Sequence, residues 1–258
     1  MLMFKWIRRL AALASVFAAA AAAAQTLRPE AVQVAPDSYI VQGLSAMGSG
    51  ANRNFISNAG FVVTKDGVLV IDALGSPALA RELLALDRRS APAAVRDVVR
   101  AHYHADHIYG LQVFKEAGAT VIAHQAGRGY LNSDTAALRL QASREEMAPA
   151  VDAQTRLVAA DRWIDDRTTL QLGGLDFVLQ PAGPAHTPED LVVWVPQLKL
   201  LFAGDLVFRG RIPFVGQADS GRWITALDTL LAFDARIIVP GHGPASTSAR
   251  ADLELTRD

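Results

Sequence analysis

The six residues His102-Tyr103-His104-Ala105-Asp106-His107 place three imidazoles and a carboxylate at the end of an apolar stretch, more donor capacity than a fold needs for its stability. Nitrogen and oxygen donors of this kind suit zinc, with iron or manganese as alternatives. Side chains alternate faces along an extended segment. An extended run would therefore send His102, His104 and Asp106 one way and His107 another, where it could serve a second ion. The spacing favours two metal ions over one.

The chain has six histidines, and those outside the run are His124, His186 and His242. His186 stands in Pro184-Ala185-His186-Thr187-Pro188, just ahead of the strand-like Leu191-Val192-Val193-Trp194-Val195. His242 follows the β-branched run 236–239 in Pro240-Gly241-His242-Gly243, so both read as turn residues at a strand edge. Asp205 follows the apolar Leu200-Leu201-Phe202-Ala203-Gly204. An aspartate after a glycine is also an ordinary turn former, but its place behind that run favours a ligand. His124 closes the run 119–123 ahead of a helix and reads as a capping or supporting residue, outside the metal set. Donors delivered by four separate strand ends can meet at one edge of a sheet sandwich.

In this order and with this separation, the blocks resemble the metallo-β-lactamase superfamily over nearly the whole chain beyond residue 24. The likeness takes in Val68-Leu69-Val70-Ile71-Asp72, an acid at a strand end. It implies an α/β fold, the four-layer αββα sandwich. It also implies that His102, His104 and His186 hold a first metal, that Asp106, His107 and His242 hold a second, and that Asp205 bridges them. Asp72, which could otherwise cap the helix beginning near Ser76, is implied to orient a ligating imidazole. The chain has no cysteine, which sets it apart from the β-lactamase branch that places a thiolate on the second metal. His107 together with Asp205 resembles the glyoxalase II type of centre, and His104 stands where flavin-dependent diiron relatives carry a glutamate.

The chemistry implied is hydrolysis with two Zn²⁺ as cofactors. Metal binding lowers the pKa of water from about 15.7 to about 7, and the resulting bridging hydroxide attacks an ester, thioester or related acyl carbonyl, with Asp106 as the catalytic carboxylate. β-Lactam hydrolysis and a mononuclear iron dioxygenase acting on persulfides are alternatives for the same donor set. Past Asp205, Arg209 and Arg211 are candidates for binding an anionic substrate, because a planar guanidinium matches a carboxylate; a solvated surface arginine is the competing reading. The stretch 205–214 and the exported character resemble the zinc metallohydrolases associated with periplasmic quinoprotein oxidation systems.

Residues 1–24 open with Lys5, Arg8 and Arg9, continue through an apolar core and end in seven alanines, Ala18 to Ala24. This reads as a secretory signal peptide whose core is shorter than the roughly 20 residues needed to span a bilayer, with Gln25 as the mature start and a periplasmic or secreted location. An uncleaved anchor is the competing reading. The formal net charge is −1, and no basic block follows the signal. The expected partner is thus a small-molecule substrate, not nucleic acid, with no stable membrane association once the signal is removed. Residues 25–258 fit one α/β domain.

Hydrophobic patterning predicts strands over 55–64 and 68–71 around the Lys65-Asp66-Gly67 turn, a helix over 76–89, a strand over 95–101 and a helix over 108–117. It continues with a strand over 120–123, a helical charged region over 132–149, strands over 168–172 and 175–180, a helix over 221–233 and a strand over 236–239. Two β-then-α halves result.

Overall fold

A computed structural model describes residues 27–90 and 93–258; the segment 1–24 expected to be a signal peptide, and the mature start expected at Gln25, lie outside them. Two sheets face one another. The first runs in chain order through β1 (Ala31–Ala35), β2 (Ser38–Val41), β3 (Ala59–Thr64), β4 (Gly67–Ile71), β5 (Val95–Val99), β6 (Thr120–His124) and β7 (Arg162–Ile164). It is antiparallel up to β4 and parallel from there to β7. The second contains β8 (Thr168–Leu172), β9 (Leu175–Pro181), β10 (Leu191–Val195), β11 (Leu200–Phe208) and β12 (Ile237–His242), antiparallel except for the parallel pair β11–β12. Among the described residues the chain passes from one sheet to the other once, at 165–167.

Strand periodicity assigns the buried strand residues to layers. In β4, Val68 and Val70 pack outward while Leu69 and Ile71 face the opposite sheet. In β10, Leu191, Val193 and Val195 meet them from across the sandwich, and Val192 and Trp194 point away. Strands covered on both faces read as continuous apolar runs rather than alternating ones. Helices α1 (Pro77–Ser90), α2 (Ala105–Ile108), α3 (Leu111–Glu116), α4 (Arg128–Leu131) and α5 (Asp134–Glu146) accompany the first half. Of these, Leu79 and Leu83 of α1 and Phe114 of α3 cover the outer face of the first sheet. Helices α6 (Ser220–Leu231) and α7 (Ala249–Arg257) cover the second through Trp223, Leu227 and Leu253. Each large apolar side chain so buried contributes about 1.5–3 kcal/mol. The order helix, sheet, sheet, helix is the αββα sandwich expected from the sequence. No helix among the described residues is long and apolar enough to cross a membrane.

Two elements differ from their expected spans, and four more lie outside the expected set. The strand read over 55–64 begins only at Ala59, because Asn58 is used as a clasp. Its backbone N–H donates to the Gly241 carbonyl at 2.8 Å, and its side-chain Nδ2 donates to those of Pro240 and Gly243, each at 2.8 Å. The helix read over 108–117 begins only at Leu111, and Tyr109-Gly110 separates it from the short α2; Gly110 approaches the Ala73 carbonyl so closely that a Cβ would lie 1.9 Å from it. The sequence patterning does not announce the edge strands β1 and β7, the short β2 beside β1, or the terminal helix α7.

Candidate metal centre

The chain leaving β5 stays extended only as far as His104, at φ −65° and ψ 147°, and then turns into α2. The expected strand alternation through Asp106 is therefore corrected: one helical turn, not a pleat, aims Asp106 and His107. His186 lies in the loop before β10, whose shape is fixed by Thr187 donating through its backbone N–H and its hydroxyl to the Asp190 carboxylate, both at 2.8 Å. Asp205 does not end its strand. It sits inside β11 directly after Gly204 at φ +53°, where the register against β12 breaks. Gly241 faces it, and a Cβ there would lie 1.9 Å from Asp205 Oδ1. His242 closes β12.

These seven side chains converge. Ligand atoms of His102, His104, His186 and Asp205 lie within 4.8 Å of one another, and so do those of Asp106, His107 and His242. Asp205 touches both groups: Oδ2 is 3.7 Å from His102 Nε2, 3.3 Å from His186 Nε2 and 3.2 Å from His242 Nε2, while Oδ1 is 3.2 Å from His107 Nε2. Asp106 Oδ2 is 3.6 Å from His107 Nε2 and 3.3 Å from His242 Nε2. Behind the cluster, Asp72 stands at φ +61° at the end of β4. Its Oδ2 accepts from His107 Nδ1–H at 2.8 Å and its Oδ1 from the Ala101 N–H at 2.8 Å. It orients an imidazole and does not cap α1. His242 Nδ1–H donates to the Ile56 carbonyl at 2.7 Å, so His107 and His242 both present Nε2 to the cluster.

Burial and the neighbouring His107 hold His102 well below the usual imidazole pKa, and burial with His186 lowers His104. Burial also opposes charge on His107 and His242, but Asp205 and Asp106 outweigh it and raise both. Asp205 is held well below the usual carboxylate range: burial resists ionisation, and His242, His107 and His102 overcome it. The donor set fits divalent cations. His102 Nε2 and His107 Nε2 are buried with no hydrogen-bond partner among the described residues, an arrangement that costs stability unless something electropositive sits between them.

A cavity of about 460 Å³ opens onto the cluster, walled by Tyr103, Asp106, Tyr130, Phe208, Arg211 and Phe214. Tyr103 and Tyr130 stack at 4.0 Å. The two candidate arginines part here. Arg211 lines the cavity and forms no ion pair among the described residues, with Nη1 3.2 Å from His242 Nδ1. Arg209 does not line it: Nε donates to Asp252 at 2.8 Å and Nη1 to the Pro244 and Ala245 carbonyls at 2.9 and 3.2 Å. It anchors α7 instead. His124 meets the Asp165 carbonyl at 3.3 Å, outside both donor groups. Sequence reasoning missed the buried pair Arg100 Nη2–Glu189 Oε2 at 2.6 Å, three residues past His186, and Gln217 at the cavity wall.

Residues 52–242 match the family model described as the metallo-beta-lactamase superfamily. The chain belongs to this superfamily. A metallo-beta-lactamase type 2 from Bacillus sp. (strain 170) is 30% identical over 198 residues, covering 74% of this chain and 69% of its own length. A linear primary-alkylsulfatase from Pseudomonas sp. (strain ATCC 19151) is 24% identical over 229 residues, which is 75% of this chain and 43% of the sulfatase. Among solved structures, a metallo-beta-lactamase from Pontibacter korlensis superposes with a TM-score of 0.69 at 23% identity, over 89% of this chain and 97% of that one. Superfamily membership makes the chain a metal-dependent hydrolase.

Proposed function

We propose that this superfamily member is an exported dinuclear zinc hydrolase acting on an anionic ester, thioester or related acyl compound. The observation that carries the reading is the reach of Asp205, whose two oxygens approach imidazoles of both donor groups. His102, His104 and His186 would hold one ion, Asp106, His107 and His242 the other, and Asp205 both. Such ions, when bound, acidify water from a pKa of about 15.7 toward about 7 and polarise a carbonyl oxygen. Asp72 and the Ile56 carbonyl keep the Nδ1 protons of His107 and His242 in place, so that both rings stay aimed. Asp106 belongs to the second group and also lines the cavity, a position from which it can accept the proton of the attacking water. Arg211 supplies a guanidinium for a substrate carboxylate, and Tyr103 and Phe214 receive an apolar body. Five histidines among seven donors favour zinc over manganese. The basic, alanine-rich leader supports a periplasmic site of action, and the 205–214 likeness supports membership of the quinoprotein-associated branch.

Metal analysis and turnover on protein purified from the periplasm test this together. Two zinc ions per chain, acyl-ester or thioester hydrolysis abolished by a chelator, and recovery on adding zinc are expected. One iron per chain with oxygen uptake would replace the reading with persulfide dioxygenation. A second reading, lactam hydrolysis, is favoured by the names of the relatives from Bacillus sp. (strain 170) and Bacillus cereus, 30% and 29% identical. Nitrocefin turnover above that of every acyl substrate would select it.

A further inference from the structure

Gln217 belongs to the segment 209–219 that links β11 to α6, and it is none of the seven donors. Its Oε1 lies 3.1 Å from the Tyr103 hydroxyl and 3.1 Å from His104 Nε2. An amide oxygen has two lone pairs and accepts from both groups at once. A His104 proton held in this way sits on Nε2 and leaves Nδ1 bare. That Nδ1 is 3.0 Å from His186 Nε2, inside the first donor group. With the amide turned over, its NH₂ would face His104 Nε2, the ring proton would move to Nδ1, and that proton would point at His186 where a cation is to be held. The orientation of the amide therefore bears on which His104 nitrogen is left bare toward the first metal group.

The segment is well placed for this task. Asp219 N–H donates to the carbonyl of Ala185, the residue before His186, at 2.8 Å, and Phe214 packs edge-on against the His104 ring at 5.6 Å. His107 and His242 have their outward nitrogens held by Asp72 and by the Ile56 carbonyl; Gln217 is the corresponding group for His104, supplied by the wall of the cavity.

We infer that Gln217 is a positioning residue that fixes His104 with Nδ1 directed into the first metal group, so that metal affinity depends on the seating of the 209–219 segment. The inference rests on the dinuclear reading above. Gln217 is exposed, so its substitution does not threaten folding. The test is ¹⁵N imidazole NMR on the full metal-free protein, with zinc titration against a chromophoric chelator, for wild type, Gln217→Leu and Gln217→Glu. Wild type and Gln217→Glu, which keeps the acceptor, should show His104 protonated on Nε2. Gln217→Leu should show mixed tautomers and a roughly 10–100-fold loss of affinity at one of two zinc sites, restored in Gln217→Glu. An unchanged titration in Gln217→Leu, or a wild-type His104 protonated on Nδ1, overturns the inference. Absence of zinc uptake by the wild type sinks the dinuclear reading instead, and the tautomer comparison still decides the role of Gln217.

Discussion

Asp72 divides its two oxygens between two neighbours, one the backbone of Ala101 at the entry to the donor run and the other the ring of His107. Alanine at this position leaves both donors buried and unmatched, each at about 1–3 kcal/mol, and frees the His107 ring to rotate. Asp72→Ala is expected to weaken zinc binding roughly 10–100-fold at the group holding His107, seen by competition titration; an unaltered titration would deny Asp72 any hold on the ring. The donors themselves were legible in the sequence because histidine is scarce, with six in the chain, and because each donor outside the run adjoins an apolar run. The residues behind them were not. Arg100 and Glu189 are 89 positions apart, and Gln217 is a polar residue in a loop, so no spacing announces either. The choice between Arg209 and Arg211 was likewise open until Asp252 was seen to hold the first.

At the scale of elements, patterning found the strands that form the interior, such as β4 and β10, because an unbroken apolar run of that length escapes water only when both faces of the strand are covered. It failed where a single glycine redirects the chain. Gly110, seated against Ala73, separates α3 from the helical turn before it, and Gly204 lets β11 continue past the point where an apolar run stops. Helix α1 carries a cost that only burial reveals. Asp87 is fully buried, and neither carboxylate oxygen has a partner among the described residues; burial pushes its pKa from 3.8 up to about 6. The folded chain therefore holds this proton more tightly than the unfolded chain does. Below about pH 3.8 the group is protonated in both states and costs nothing, and between there and pH 6 the penalty grows toward about 3 kcal/mol, at about 1.36 kcal/mol for each pKa unit. Asp87→Asn should accordingly raise the melting temperature at about pH 8 and leave it unchanged near pH 3.5. Equal melting temperatures at the higher pH would show that the carboxylate has found solvent.

On the scale of the molecule, the one passage between sheets among the described residues, at 165–167, divides the donor set as cleanly as it divides the fold. The first half carries His102, His104, Asp106 and His107, and the second His186, Asp205 and His242. The halves meet through the inner apolar layer, the Arg100–Glu189 pair and the Asn58 clasp. Opening the peptide chain between Asp165 and Asp166 would yield two polypeptides, each owning a whole sheet and neither able to assemble both metal groups. Co-expressed, the pieces are expected to co-purify and to hydrolyse substrate only as a pair, with zinc slowing their separation; two pieces that never associate would show that chain continuity, and not the shared interior, holds the sandwich closed. A natural two-part reporter is thus latent in this polypeptide, its signal silent until the complementary fragments find each other.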